Sequence, residues 1–482
     1  MADFTRRFIM MMVFFTVVSC GKKITSSEKE GPPNIIVIFT DDQGYRDLSC
    51  YGAPQLKTPN LDRMAEEGIR FTNFYVGQPV CSASRAALLT GCYPSRVSIQ
   101  GALFPNANIG LNPEEVTIAE ICKSKGYKTA MVGKWHLGDR PQFLPTRQGF
   151  DEYLGVPYSN DMWPGHPGKE THKFPRLPLI ENDSVIDYFD EDQNNLTTLY
   201  TRRATEFIEA NRKNPFFLYV AHSMPHVPLF VSDKFRGKSG AGLYGDVIME
   251  IDWSVGEIMN TLKELDLDRK TLVIYTSDNG PWLNYGQHAG SALPLREGKG
   301  TVLEGGIRVP CIMRWPGNIP EGAVQKKPAM TIDILPTVAS LINAALPDKK
   351  IDGKDIWPLI TNDAQAESPH DAFYFYFNDN ELQGMRSGKW KLYFPHQYRS
   401  FEGKEGRNDG LPVQYAQLKM GLELYDLDND ISERNNVAAQ YPAVVDSLQQ
   451  KAAAFRQKLG DSLTGVVGSE VRKPGRISET GK

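Results

Sequence analysis

Residues 35–39 form a continuous apolar run rich in β-branched side chains, the pattern of a strand covered on both faces of a parallel sheet. The run ends abruptly in Thr40-Asp41-Asp42. Thr58-Pro59 then opens a helix with Leu61, Met64 and Ala65 on one face and Gly68 as its stop, and a strand over residues 70–76 leads toward Cys81. Thr117 caps a second helix, carrying Ile118, Ile121 and Cys122 and stopping at Gly126. The strand after it, residues 129–132, runs into Gly133-Lys134-Trp135-His136. A helical stretch over 196–212 precedes a strand at 216–220 that runs into His222 and His226. Another, over 247–265, precedes a strand at 271–276 that runs into Ser277-Asp278-Asn279. This alternation predicts an α/β fold built on a large mixed, mainly parallel sheet flanked by helices. Four strands in succession deliver polar groups past their carboxyl ends, the crevice in which open α/β sheets bind ligands.

The texture changes near residue 365. Aromatic strand patterns at 373–377 and 390–394, a short strand at 422–427 and a helix over 442–459 predict a smaller C-terminal α+β domain over residues 365–465, after a larger domain over 34–364 that carries those strand ends. The tail over 466–482 has few apolar residues and is expected to be loose. At the other end, Arg6-Arg7, an apolar run over 8–18 and Ser19-Cys20-Gly21 have the layout of an export signal over residues 1–19. The box around Cys20 resembles a bacterial lipoprotein cleavage site, with residues 20–33 as the tether. An exported protein of the periplasm or outer membrane follows, touching the membrane only through a lipid anchor.

Charge and composition narrow the partners. The 54 Lys and Arg against 58 Asp and Glu, a net charge of -4, argue against a nucleic-acid partner. The six cysteines match no paired zinc pattern, and buried free thiols are favoured over a disulfide among Cys50, Cys92, Cys122 and Cys311. Asp41-Asp42 and Asp278-Asn279 offer four hard oxygen ligands, a set suited to Ca²⁺ or Mg²⁺ rather than zinc. Cys81 precedes a helix over 84–89, with Arg85 one turn on: either a reactive thiol beside a cation or a buried Cys with a structural Arg. By position alone, the loop carrying His288 and Arg296, with Trp163 and His166 from the Pro/Gly-rich segment after Ser159, is expected at the bound ligand.

Cys81-Ser82-Ala83-Ser84-Arg85, followed by Ala86-Ala87-Leu88-Leu89-Thr90-Gly91, resembles the signature of the formylglycine-dependent sulfatases, an alkaline-phosphatase-like family, with Ala where Pro is commoner. The resemblance extends through Asp41-Asp42-Gln43-Gly44, the Gly133–Gly138 segment, His226, Ser277-Asp278-Asn279-Gly280 and Gly298-Lys299-Gly300-Thr301. It implies that Cys81 becomes formylglycine through a formylglycine-generating or anaerobic sulfatase-maturating enzyme. One hydroxyl of the hydrated aldehyde would attack sulfur while the metal, bound by Asp41, Asp42, Asp278, Asn279 and residue 81, holds the oxygens. Arg85, Lys134 and Lys299 would supply positive charge, His226 the proton for the leaving oxygen, and His136 would take the proton that regenerates the aldehyde. Ser159 stands where the family has a sulfate-contacting residue. The motifs look most like the branch containing arylsulfatase A and N-acetylgalactosamine-6-sulfatase, which implies a sulfated oligosaccharide or polysaccharide, galacto-configured sugars first, exo action, and calcium ahead of magnesium. The rival readings are a phosphatase or phosphodiesterase of the same superfamily and a surface lipoprotein that binds glycans without turnover.

Overall fold

The computed structural model describes residues 31–166, 173–189 and 192–477. The expected export signal and lipoprotein box lie outside the described residues. Among the described residues an eleven-stranded sheet runs in the order Ala323–Gln325, Ile69–Tyr75, Arg308–Arg314, Thr271–Ser277, Asn34–Thr40, Phe216–Ala221, Lys128–Gly133, Glu152–Gly155, Leu177–Glu181, Ser184–Phe189, with Ala329–Met330 paired to Ile69–Tyr75. The five strands from Thr271–Ser277 to Glu152–Gly155 are parallel, and antiparallel strands flank them on both sides.

The apolar runs serve both faces, as their composition requires. In strand Asn34–Thr40, Ile35, Val37 and Phe39 join a core with helices Cys81–Thr90 and Ile118–Ser124, while Ile36 and Ile38 join a second core with Pro59–Glu66, Leu196–Ala210 and Gly242–Glu264. Each such side chain removed from water contributes roughly 1.5–3 kcal/mol. Thr117 does cap its helix, in a reciprocal box with Glu120. Parallel strands stacked in register bring their carboxyl ends to one edge, so residues from Asp41 to Asp278 meet there.

The C-terminal sheet, in the order Phe373–Phe377, Glu381–Ser387, Trp390–Tyr393, Glu423–Asp426, is antiparallel and is joined by helix Pro442–Leu459. Its aromatic residues continue the first core: the rings of Phe373 and Phe375 lie 6.0 and 5.4 Å from that of Tyr75. A fully buried ionic cluster also bridges the two parts. Lys391 Nζ is 2.7 Å from Glu304 Oε1 and 3.0 Å from Glu433 Oε1, and Glu304 Oε2 pairs with Arg308 at 3.1 Å. A further antiparallel pair, His396–Ser400 with Ala416–Met420, has no counterpart in the sequence reading. The tail departs from expectation through residue 477. Arg472 pairs with Glu115 at 2.7 Å, Glu470 with Arg96 at 3.0 Å, and Gly475–Arg476 bridges to Ile109–Gly110, so charge holds what apolar burial does not. All five described cysteines are free. No described helix is long and apolar enough to cross a membrane.

Candidate active site

Backbone geometry turns the strand ends inward. Asp42 and His136 both adopt left-handed φ, 64° and 59°, two and three residues after strands Asn34–Thr40 and Lys128–Gly133, so the chain leaves the extended conformation where these side chains begin. Gly133, at φ 108°, lies so close to the neighbouring strand that a Cβ there would stand 1.8 Å from the Ala221 carbonyl oxygen. That approach lets the Lys134 N–H donate to the same carbonyl at 2.8 Å and fixes where Lys134 starts. Cys81 is the first residue of helix Cys81–Thr90, whose every residue is buried, and Arg85 follows one turn later.

Around Cys81 stand three cations and three carboxylates, all buried. Arg85 donates from Nη2 to Asp278 Oδ2 at 2.8 Å and from Nη1 to the Lys134 carbonyl at 3.1 Å, and its Nη2 is 3.4 Å from Asp41 Oδ2. Lys134 Nζ donates to Asp41 Oδ2 and, at 3.0 Å, to Ser159 Oγ. Lys299 Nζ donates to Asp42 Oδ2 at 2.9 Å and lies 3.5 Å from Cys81 Sγ. Trp282 backs this corner. Lys299 Nζ sits 4.3 Å from its ring centroid and the His226 ring 5.4 Å away, so one indole supports both groups.

The two histidines are held in defined tautomers by backbone carbonyls. His136 Nε2–H donates to Leu103 O at 2.9 Å, which leaves Nδ1 as an acceptor without a protein partner. His226 Nδ1–H donates to Val227 O at 2.6 Å, leaving Nε2, 3.5 Å from Asp42 Oδ2, free to exchange a proton. Burial and then Lys134 drive His136 well below the usual imidazole range, and burial and then Lys299 lower His226. Burial also pushes the Cys81 thiol up to about 12, so an unmodified Cys81 is not a thiolate near neutrality.

The acids bear on metal binding. Burial opposes the charge on Asp41, yet Lys134, His226 and Arg85 hold it well below the carboxylate range, whereas burial and the adjacent Asp41 push Asp278 up to about 7. Among the described residues, Asp41 Oδ1 and Asn279 Oδ1 are buried with no hydrogen-bond partner. Ligand atoms of Asp41, Asp42, Cys81 and His226 lie within 4.8 Å of one another. Crowded carboxylates, unpaired hard oxygens and full burial fit a divalent cation, which the expected set Asp41, Asp42, Asp278 and Asn279 would hold. Three basic and three acidic side chains largely offset one another here, so these residues carry no strong net charge by themselves.

A cavity of about 630 Å³ opens from Cys81, with His136, Ser159, His226 and Lys299 at its polar end. Its outer wall is apolar, formed among others by Met162, Trp282, Tyr285 and Leu411, and by Phe104 and Phe174, whose rings stack 9° from parallel. Of the residues expected at a sugar, Ser159 and His166 line the cavity and Trp163 stands behind it, packed edge-on against Phe230. His288 and Arg296 do not line it. His288 lies against Gly410, and Arg296 donates to the Glu433 carbonyl at 3.2 Å and Tyr398 Oη at 3.1 Å, so the C-terminal part claims both. Asp161, Trp282, Arg399, Phe104 and Phe174 escaped the sequence reading, since nothing local distinguishes a pocket aromatic from a packed one.

Comparison with known proteins agrees with this geometry. A family model described as sulfatase matches residues 33–344, and one described as N-sulphoglucosamine sulphohydrolase, C-terminal, matches residues 298–458. Human arylsulfatase A is 40% identical over 453 residues, covering 87% of each chain. N-acetylgalactosamine-6-sulfatase of Canis lupus familiaris is 38% identical over 457 residues, covering 88% of this chain and 85% of its own. Among solved structures, the sulfatase PsFucS1 from Pseudoalteromonas sp. superposes with a TM-score of 0.77 at 26% identity, over 88% of this chain and 91% of its own. Ps i-CgsB, solved in complex with a neocarrahexaose, gives 0.73 at 28% identity, over 90% and 96%.

Proposed function

This chain belongs to the sulfatase family and is a sulfuric ester hydrolase, and from that premise we propose that it removes sulfate from a galacto-configured sugar of a sulfated glycan, acting from the chain end. The convergence of Cys81, three cations, two tautomer-locked histidines and two unpaired buried oxygens at one sheet edge carries the reading. Formylglycine made from Cys81 supplies, once hydrated, the hydroxyl nucleophile that a buried neutral thiol does not. A divalent cation, calcium before magnesium, supplies the positive charge that makes an otherwise neutral site attractive to a sulfate ester.

The chain's own groups account for the rest. Arg85, Lys134 and Lys299 are fixed by carboxylates before substrate arrives, so their charge meets the sulfuryl oxygens without reorganisation. Ser159 Oγ, already held by Lys134, directs a hydroxyl toward the same oxygens. His226 delivers a proton from Nε2 to the departing sugar oxygen, with Asp42 beside it to favour the charged ring. His136 accepts a proton at Nδ1, the one nitrogen with no competing partner. The apolar outer wall excludes water and faces the less polar side of a sugar ring. The basic start and apolar run before Cys20 support export, with the protein as a periplasmic or outer-membrane lipoprotein matured by a formylglycine-forming enzyme.

The test is peptide mass spectrometry across Cys81 on protein from its native host, paired with sulfate release from 4- and 6-sulfated galactose and N-acetylgalactosamine. Formylglycine at position 81 with release from one sugar is the expected result. An intact thiol and no release would leave a glycan-binding lipoprotein as the better account.

A further inference from the structure

Beside the Cys81 cavity lies a second one of about 660 Å³, and the two share Gly300, Phe377 and Arg399 in their walls. Either volume alone falls in the range of roughly 300–1,000 Å³ that takes a drug-sized ligand. One sulfated monosaccharide does not need both. The second cavity is floored by the two-stranded pair His396–Ser400 and Ala416–Met420.

Strand alternation decides what that floor presents. Gln397 and Arg399 are two residues apart and share a face, and the register sets Gln397 opposite Lys419 and Arg399 opposite Gln417. One face of the ribbon therefore carries two amides and two cations, all lining the cavity, and Tyr398 and Met420 line it as well while joining the core cluster. Among the described residues no carboxylate pairs with Lys419. The wall's one acid, Glu381, accepts from Gln383 Nε2 at 2.7 Å. His396 donates from Nδ1 to Phe394 O at 2.7 Å, which leaves Nε2 an acceptor with no protein partner.

Arg399 joins the two cavities physically. Its Nε and Nη2 both donate to the Lys299 carbonyl, at 3.1 and 2.5 Å, and its guanidinium lies over Tyr415. Gly300, at φ 76°, makes room for this contact, since a Cβ there would stand 2.1 Å from Arg399 Nη2. Amides that read hydroxyls, cations that read acid groups and continuity with the Lys299 loop describe a polyhydroxylated, anionic ligand already anchored at Cys81.

We propose that the face formed by Gln397, Arg399, Gln417 and Lys419 is a subsite for the sugar units next to the one that loses sulfate, so that the preferred substrate is an oligosaccharide with a second sulfate or carboxylate and not a monosaccharide. This rests on the sulfatase reading of the Cys81 site. Gln417 and Lys419 are exposed, so their replacement opens no core.

The test compares kcat/KM for 4- and 6-sulfated galactose and N-acetylgalactosamine with that for trisaccharides bearing the same sugar and a further acid group. The full-length parent is expected to favour the matching trisaccharide by about tenfold or more, and the Gln417→Ala/Lys419→Ala variant to lose most of that preference while staying within about twofold on the monosaccharide. Calorimetric binding of the same sugars to Cys81→Ala protein, with and without the double substitution, separates the subsite from the chemistry. If no sugar is turned over but the trisaccharide still binds more tightly and the double variant erases the difference, the subsite stands and the catalytic reading falls. If sulfate is released with no dependence on chain length, or the double variant weakens both sugars equally, or neither sugar binds, the subsite is overturned.

Discussion

Replacing Lys391 with Met should destabilise the protein through the carboxylates left behind. Lys391, Glu304 and Glu433 have no exposed side-chain surface, and the Glu304 N–H donates to Glu433 Oε2 at 2.9 Å. Burial raises Glu304, but Lys391 and Arg308 overcome it and keep that group ionised, whereas burial raises Glu433 despite Lys391. Met fills nearly the same volume, so the loss is electrostatic, about 3–5 kcal/mol for breaking a buried pair from one side. With roughly 2.1 cal/mol/K of unfolding entropy per residue over 482 residues, about 1 kcal/mol corresponds to one degree, and Tm should fall by about 3–5 °C.

The sign of the pH dependence follows from Glu433. A carboxyl raised in the folded state binds more protons there than in the unfolded chain, so stability is retained at low pH and lost as pH rises through the folded value. The deficit of the single variant should therefore be smaller at pH 5 than at pH 8. Adding Glu433→Gln removes the surplus charge while Glu304 keeps Arg308, and should recover at least half of the loss. Scanning calorimetry of parent, single and double variants at both pH values is the assay. A single variant within about 1 °C of the parent, or a double variant no more stable than the single, would refute the reasoning.

Three further outcomes are expected. His222, fully buried, is lowered by burial to about 4, so its contribution is intact above an unfolded value near 6.5 and is lost as pH falls; His222→Gln should remove about 3 kcal/mol of the stability change between pH 7 and pH 4, read from urea unfolding at both. Removing divalent cations with a chelator should abolish sulfate release and calcium should restore it better than magnesium; full activity after chelation would count against the oxygen-ligand site. Gly133→Ala, whose Cβ would overlap the Ala221 carbonyl, should give little soluble protein, and a normal yield with native circular dichroism would contradict the strand spacing described.

The parts legible in the sequence were those where local composition and tertiary role coincide. A both-faces-buried strand reads as an apolar run, and the polar residues that end it, Asp41, His136 and Asp278, had to lie at the sheet edge wherever the strand lay in the order. Helix Pro442–Leu459 and strand Phe373–Phe377 were equally plain, because their periodicity is set by burial on one side. The pair His396–Ser400 and Ala416–Met420 escaped since one face is polar and the loop between them long. His288 and Arg296 were assigned by proximity in sequence to Lys299, but the chain there turns toward residues above 390, and only packing reveals that. The tail is held by Arg472 and Glu470, and pairing partners more than 350 residues away leave no mark on hydropathy.

Every residue of helix Cys81–Thr90 is buried, and Cys81 itself is 2% exposed. No second enzyme can close its own active site around a side chain in that position. On the function proposed above, conversion of Cys81 would therefore compete with folding, and a chain that collapsed first would keep its thiol and stay idle. Specific activity then reports the fraction of molecules caught in time and varies with the expression host as much as with sequence. A batch made without the partner enzyme would have to be unfolded before treatment, and co-production during synthesis is the practical route to uniform material.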